Sequence, residues 1–457
     1  MISQDKQLHF LLIPLMSQSH IIPLTDFAKL LAQHGINVSI ITTPLNAQRY
    51  KSLITQSLKF NLKIQLIPLH FPCEELGLPK GCENMDSLPS TNLYKEFFLA
   101  CETLKKPLEK IIQKLETKPS CIVSTGGLSW TQEIADKFKI PRYVFQTISC
   151  FALLCSQEIE TRNSQLPNET TTKQSDDVQS VVHQIKWSQN LARGTLINTF
   201  DELEPFYVDE YKKIMKNVFC VGPVSLCNKK VDEIINRGNE GSVDNEHSYL
   251  TWLNSMKPKS VVYVSFGSLC HMSFLQIKEI GLGLESSNVP FVWIIRGLNV
   301  SSEVKKWLSD ENFEEKVKGR GIIIKGWAPQ LMILSHPSVG GFLTHCGWNS
   351  TLEGITCGVP MITFPMFADQ FYNEKLIVDV LKIGIRVGIE EKNKVLVKKE
   401  EVKKAINQLM NEGFESKERR KRTKELAIMS KEAMQESGSS YLNIKLLIQD
   451  VMQLVNN

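Results

Sequence analysis

The sequence predicts an α/β protein made of two doubly wound domains, and three observations carry that reading. Short apolar runs, continuous as in strands buried on both faces, alternate along the chain with segments of helical periodicity. The stretch from Trp327 to Gln370 holds two such runs, Gly340–Thr344 and Val359–Thr363, with a short helix beginning near Asn349 between them. That is a βαβ unit, whose strands are parallel. The chain has 457 residues, enough for two domains that each bury a full core.

The first run, Leu8–Leu15, reads as a central strand. It ends in Met16-Ser17-Gln18-Ser19-His20, a loop, and a helical pattern follows from Pro23 to about Gln33. Gly35 ends that helix and Val38–Thr42 forms a second strand. The order recurs through Ile64–Pro68, a long helical region near Tyr94–Leu115, Cys121–Ser124, a helix to Phe138, and Tyr143–Phe145. Asn163–Gln189 is polar and reads as a mobile surface segment, before strands at Gly194–Thr199 and Val218–Pro223 close the domain.

A linker rich in Lys, Asp, Glu, Asn and Gly falls near Cys227–Asn245. The second domain begins with the strand Ser260–Phe266, the turn Gly267-Ser268 and a helix from about Ser273 to Leu284. Phe291–Arg296 and Gly321–Lys325 add strands ahead of the Trp327–Gln370 stretch. Helical patterns then cover Lys398–Glu412 and Glu418–Gln435, and Gly438-Ser439-Ser440 interrupts them before a last amphipathic helix to about Leu454. The expected division is 1–240, 241–440 and a terminal helix over 441–457. The two halves share topology without any sequence repeat.

Composition is that of an ordinary globular protein, 42% hydrophobic and 22% charged, and a net charge of +4 is too mild for a nucleic-acid partner. The densest basic run, Lys417 to Lys424, is interrupted by Glu418 and reads as a solvated helix face. Eleven scattered cysteines without a C-x-x-C pair support neither a zinc site nor a redox motif and fit reduced thiols in the cytoplasm. The apolar run Phe10–Leu15 is broken by Pro14 and lacks a cleavage site, so it is a strand rather than a signal peptide. No apolar run approaches the ~20 residues of a membrane span. Asn349-Ser350-Thr351 is a glycosylation sequon inside the candidate site, which also argues against secretion.

The βαβ turn of the Trp327–Gln370 stretch reads His345-Cys346-Gly347-Trp348-Asn349-Ser350. Gly347 lets the backbone approach a ligand, and the free N–H groups of a helix start attract phosphate. His345, Asn349 and Ser350 add side-chain donors, Trp327 offers a flat face for a base, and Asp369-Gln370 suit sugar hydroxyls. Each residue has a plainer explanation: Trp327 and Trp348 as core, His336 and His345 as structural histidines, and Ser350 with Glu353 as a capping box. Together, base, phosphate and sugar contacts in one stretch read as a nucleotide-sugar site. A dinucleotide oxidoreductase also fits the alternation, but no G-x-G-x-x-G follows the first strand.

The stretch closely resembles the donor-binding signature box of the plant UDP-dependent glycosyltransferases of family 1: W-A-P-Q, H-P, G-G-F-x-T-H-C-G-W-N-S-x-L-E, G-V-P and the final D-Q are all present. The resemblance implies the GT-B architecture, two Rossmann-like domains facing across a cleft, with the terminal helix returning to the first domain. It implies that Trp327 stacks on uracil, with the Ala328 backbone at its edge. Gln330 and Glu353 would hold the ribose hydroxyls. His345, Asn349 and Ser350 would bind the diphosphate, and Trp348, Asp369 and Gln370 the sugar, with Gln370 favouring glucose. Gly267-Ser268 matches the family's S-F-G-S and would face the diphosphate, and Thr147, just past a strand, would meet a sugar hydroxyl or phosphate oxygen.

Such a transfer needs a base for the acceptor proton, and His20, at a strand-to-helix junction, is placed for it. Gln18, His20 and Pro23 match the family's Q-x-H-x-x-P loop, with Ser19 in place of its usual Gly. The family orients that histidine with an Asp in an S-D motif, whereas this chain has Ser124-Thr125-Gly126-Gly127. Thr125 would then accept the imidazole Nδ1–H without supplying charge, giving a weaker base suited to acidic acceptors such as phenols. Direct displacement inverts the anomeric centre. No D-x-D metal motif occurs and no cofactor or metal is expected. The acceptor side, Met16, Ser19, Leu88 and Phe151 with Phe71, Leu76 and Leu78, suggests a lipophilic aglycone such as a flavonoid, terpenoid or steroid. The region after Arg162 is short for the family, consistent with a more open acceptor side. The expected protein is a monomer with a UDP-sugar and a small lipophilic acceptor as its partners. A binding-only or catalytically weakened relative is the alternative that Thr125 leaves open.

Overall fold

The computed structural model describes residues 7–165, 176–238, 246–296, 300–388 and 396–456. They form two compact units, the first Met1–Lys229 with Ala433–Asn457, the second Lys230–Glu432. The first crossing falls at Lys229/Lys230, ahead of the expected 240/241 and inside the expected linker. The second crossing falls at Glu432/Ala433, ahead of the expected 440/441, inside the helix Phe414–Ala433.

The first unit is built on seven parallel strands: β1 (His9–Ile13), β2 (Asn37–Thr42), β3 (Ile64–Pro68), β4 (Cys121–Thr125), β5 (Arg142–Gln146), β6 (Gly194–Ile197) and β7 (Val218–Cys220). Their order is β3-β2-β1-β4-β5-β6-β7. Strands β1, β4 and β5 are buried at every position, which is why each has a continuous apolar stretch, residues 10–13, 121–123 and 143–145. The terminal helix Ser439–Asn456 packs on this unit, with Ile444, Leu447 and Val451 in the same core as Leu8, Phe10 and Phe27. Asn443 Nδ2 donates to the Cys220 carbonyl at 3.1 Å, and Arg193 pairs with Asp450 at 2.6 Å.

The second unit has six parallel strands, β8 (Val261–Ser265), β9 (Phe291–Ile295), β10 (Gly321–Lys325), β11 (Val339–Thr344), β12 (Met361–Thr363) and β13 (Gly384–Arg386). Their order, β10-β9-β8-β11-β12-β13, repeats the topology of the first sheet. Strands β11 and β12 flank the helix Trp348–Thr356 and pair in parallel, so the βαβ unit is as the sequence indicates.

Two elements differ from expectation. The first helix runs Gln18–Gln33 with Ser17 as N-cap and Pro23 inside it, so it starts before the loop ends. Proline reads as a first-turn residue because its missing N–H costs nothing there, whereas Pro23 is the sixth residue of this helix, past the first turn, and gives up one helical N–H bond. Residues 163–189, expected as a mobile segment, include the helix Asp176–Leu191. Val178, Val181, Val182 and Ile185 recur at helical spacing within that polar composition. Residues 166–175 of the same stretch lie outside the described residues.

Candidate active site

Strand order reverses between β1 and β4 in the first sheet and between β8 and β11 in the second. Open α/β sheets hold ligands at the carboxyl ends of strands at such points. His20 follows β1 and Thr125 ends β4; Gly267 follows β8 and His345 follows β11. Each candidate histidine thus stands at the switch point of its own sheet.

In the first unit, His20 lies in the opening turn of its helix, its N–H donating to the Ser17 carbonyl at 3.0 Å. Ser17, not His20, is the cap, so the histidine is not explained by capping. Burial lowers its imidazole to about 4, which leaves it neutral near pH 7. Its Nδ1 is 3.5 Å from Thr147 Oγ1, the residue after β5. Thr125 does not take this place. It is sealed in the sheet, and its hydroxyl oxygen accepts from the Leu15 N–H at 2.7 Å. The reason is positional: Thr125 closes β4 beside the backbone leaving β1, and that unpaired amide claims it. The Ser19 hydroxyl lies 3.1 Å from Ser17 Oγ. Asp86, which the sequence reading missed, accepts from the Gln18 N–H at 3.1 Å, a carboxylate at the positive end of the His20 helix.

The acceptor residues are corrected in part. Met16 and Leu88 are only 1% and 2% exposed and belong to the core with Phe71, Leu78, Leu11 and Ile13. The segment 71–88 folds inward because Met85 N–H donates to the Met16 carbonyl at 2.8 Å and Asn84 Nδ2 donates to Asn46 Oδ1 at 2.6 Å. Phe151 is half-buried and edge-on to Tyr207 at 4.8 Å, and Tyr207 in turn packs against the cluster that holds Val208 and Cys220.

In the second unit His345 is wedged between two glycines. A Cβ on Gly267 would stand 2.6 Å from His345 Nε2, and one on Gly347 would stand 2.3 Å from it. Gly267 also has φ +72, a backbone region that side chains resist. Burial lowers His345 to about 4, so its imidazole is neutral near pH 7, an N–H donor rather than a cation. The next residue, Cys346, holds φ +64, and Ala368, before Asp369, holds φ +54. Strained non-glycine positions of this kind gather where a turn is shaped for a task.

Gly347 is the N-cap of the helix Trp348–Thr356, which rules out a capping box centred on Ser350. Ser350 and Glu353 are instead tied to Gln330, whose Nε2 donates to Ser350 Oγ at 3.0 Å and to Glu353 Oε2 at 2.9 Å. Trp348 is only 2% exposed, so its indole is core and the group it offers a ligand is its helix-start N–H. Trp327, Asn349 and Ser268 are half-buried, and Ala328 is buried. Asp369 accepts from Asn373 Nδ2 at 2.8 Å, and the same amide donates to the Cys346 carbonyl at 2.9 Å. Asn373 therefore ties the Asp369 loop to the His345 turn. Burial raises Asp369 to about 6. Gln370 spends its carbonyl on the Met366 and Phe367 N–H groups, at 2.8 and 3.2 Å, leaving its amide nitrogen near Cys270 Sγ at 3.9 Å.

No group of three or more His, Cys, Asp or Glu that could hold a metal occurs among the described residues, nor any helix long and apolar enough to cross a membrane. None of the eleven cysteines is in a disulfide.

Two family models match the chain: "UDP-glucoronosyl and UDP-glucosyl transferase" over residues 241–420 and "Glycosyltransferase, N-terminal domain" over 6–226. UDP-glycosyltransferase 73C3 of Arabidopsis thaliana is 44% identical, over 98% of this chain and 97% of its own length. UDP-glycosyltransferase 73E1 of Stevia rebaudiana is 46% identical over 100% and 98%. The crystal structure of Glycyrrhiza uralensis UGT73P12 complexed with glycyrrhetinic acid 3-O-monoglucuronide superposes with a TM-score of 0.89, at 34% identity over 99% of this chain and 97% of that one. That of Medicago truncatula UGT71G1 complexed with UDP-glucose gives 0.78, at 25% identity over 99% and 100%.

Proposed function

The chain belongs to the plant UDP-dependent glycosyltransferases of family 1, GT-B enzymes that move a sugar from a UDP-sugar to small plant metabolites, and we propose that the sugar is glucose, the acceptor a lipophilic alcohol or phenol, and His20 the base. The observation that carries the proposal is the state of His20: neutral, at the switch point, with Nδ1 turned to Thr147. Thr147 accepting at Nδ1 keeps the proton there and leaves Nε2 as the basic nitrogen.

Nε2 takes the acceptor's hydroxyl proton as the oxygen attacks the anomeric carbon. The bond from that carbon to the UDP oxygen breaks, and UDP departs with the electron pair. Attack from the face opposite the leaving group turns an α-linked donor into a β-glycoside. The helix-start N–H groups at Trp348 and the neutral His345 N–H stabilise the charge that grows on the diphosphate, so no metal is invoked. Trp327 stacks on uracil against the Ala328 backbone, Glu353 and Gln330 take the ribose, Asn349, Ser350 and Ser268 the phosphates, and Asp369 with the Gln370 amide the sugar. Glucose rests on Gln370, and on a neighbour whose title names UDP-glucose. A lipophilic acceptor rests on neighbours complexed with quercetin and with a glycyrrhetinic acid glucuronide, because Met16 and Leu88 no longer support it. Eleven cysteines with no disulfide among them support a cytoplasmic protein, and we take it to act as a monomer.

A weakened or binding-only relative is the competing reading, favoured by one fact: no carboxylate is hydrogen-bonded to His20 among the described residues. Incubation with UDP-glucose and a panel of phenols and terpenoid alcohols, read by mass spectrometry and UDP release, separates the two. Glucoside formation that disappears in His20→Ala, with UDP binding retained, supports the proposal. UDP-glucose binding without any turnover overturns it in favour of the weakened relative.

A further inference from the structure

Glu353 lies in the second turn of the helix Trp348–Thr356, and its carboxylate is held from two sides. Gln330 Nε2 reaches Oε2 at 2.9 Å, and Arg237 Nη1 reaches Oε1 at 2.5 Å. The ion pair is buried, with 10% of the Arg237 side chain and 6% of the Glu353 side chain exposed. Arg237 comes from the turn after the short helix Val231–Ile235, in the polar stretch that sequence reasoning treated only as linker.

A carboxylate accepts about four hydrogen bonds, and the guanidinium and the amide account for two. With Arg237 on Oε1 and Gln330 on Oε2, donors on both oxygens fix the plane of the carboxylate as well as its position. Each oxygen keeps acceptor capacity for one further donor, which matches two adjacent hydroxyls. We propose that Arg237 is a positioning residue for the donor: it presets Glu353 to accept from the vicinal 2′,3′-diol of a ribonucleoside diphosphate, and so lets the enzyme discriminate ribose from 2′-deoxyribose. This rests on the reading that Glu353 meets the ribose.

Without Arg237 a buried carboxylate keeps one neutral donor, loses its fixed plane and carries an uncompensated charge. Calorimetric titration with UDP and with 2′-deoxy-UDP, for the wild type, Arg237→Gln, Arg237→Lys, Glu353→Gln and the Arg237→Gln/Glu353→Gln double variant, tests the inference. A hydrogen bond to a charged acceptor corresponds to about a tenfold preference for UDP in the wild type. Arg237→Gln is expected to weaken UDP by about tenfold and bring the UDP/2′-deoxy-UDP ratio towards one. Arg237→Lys falls between, and in the Glu353→Gln background the arginine change has no further effect on the ratio. With saturating donor, kcat is unchanged while the KM for the UDP-sugar rises.

Three results overturn it. If Glu353→Gln narrows the ratio but Arg237→Gln does not, Arg237 has no part in donor recognition and the ribose reading stands. If Glu353→Gln leaves the ratio intact, the ribose reading itself fails and takes the inference with it. If Arg237→Gln weakens both nucleotides equally while lowering the melting temperature, its role is in folding alone. Should Arg237→Gln not fold, the ratio in Arg237→Lys decides.

Discussion

Thr147 Oγ1 stands 3.5 Å from His20 Nδ1, while Thr125 Oγ1 accepts from the Leu15 N–H at 2.7 Å. Two threonines at the ends of neighbouring strands thus have different work, one beside the imidazole and one closing the backbone of the sheet. Thr147→Val is expected to lower kcat by about tenfold, as for a lost hydrogen bond to a group that becomes charged. Thr125→Val is expected to leave kcat near the wild type and to cost about 1–3 kcal/mol of stability, because it strands a buried N–H. Steady-state kinetics and urea melts on both variants check this. The reverse pattern would return the orienting role to Thr125.

The lowered His20 sets the acid limb of the rate profile. Below about 4 the imidazole is charged and cannot take a proton, and above it the base is free. With UDP-glucose kept saturating, the kcat/KM for the acceptor should therefore hold its plateau well below pH 6.5 and fall only towards pH 4, provided the protein stays folded. The stability contribution has a defined sign. With the folded value below the unfolded 6.5, the unfolded chain binds more protons between the two, so acidification from 6.5 to about 4 destabilises the fold through this residue. An acid limb centred near 6.5 would show that His20 is not desolvated in the working enzyme.

The glycines around His345 make a steric prediction. Alanine at Gly347 places a carbon 2.3 Å from His345 Nε2, too close for rotation of a ring wedged against Gly267 on its other side to relieve cheaply. Gly347→Ala should therefore lose UDP affinity by more than tenfold and also lower the melting temperature, at about 1–3 kcal/mol for overpacking. If the ring is the cause, adding His345→Ala should restore the melting temperature while leaving UDP binding weak. A double variant as unstable as Gly347→Ala alone would place the strain elsewhere.

Most of the two sheets was legible because buried parallel strands carry continuous apolar stretches, residues 10–13 of β1, 121–123 of β4, 261–264 of β8 and 339–343 of β11. What escaped has physical reasons. The start of the first helix was hidden because Pro23 mimics a first-turn residue from inside it. The helix Asp176–Leu191 was masked by a polar composition that drew attention away from its apolar spacing. Leu88 and Met16 look alike in sequence whether they line a pocket or fill a core, and only the hydrogen bonds of the 84–86 turn decide. The pairing of His20 with Thr147, and of Glu353 with Arg237, spans 127 and 116 residues, and no local pattern encodes contacts at such range.

Asp369 gives the donor site its own pH dependence. Burial raises its carboxyl to about 6, opposed by the hydrogen bond from Asn373 Nδ2 at 2.8 Å. Above that value it is a carboxylate able to accept from a sugar hydroxyl; below it the proton removes acceptor capacity and the Asn373 bond weakens. UDP-glucose should consequently bind less tightly as pH falls from 7 to 5, whereas UDP, which has no sugar beyond the diphosphate, should lose less. The effect on folding runs the other way. A folded value above the unfolded one means the folded chain binds more protons in between, so this residue favours the fold at low pH and that contribution is lost as pH rises through about 6. Asp369→Asn removes both dependences: the UDP-glucose/UDP affinity ratio becomes flat with pH, and stability gains relative to the wild type as pH rises from 4 to 6. Parallel titrations of the two ligands at pH 5, 6 and 7 measure the ratio. If it is already flat in the wild type, Asp369 is not the sugar acceptor.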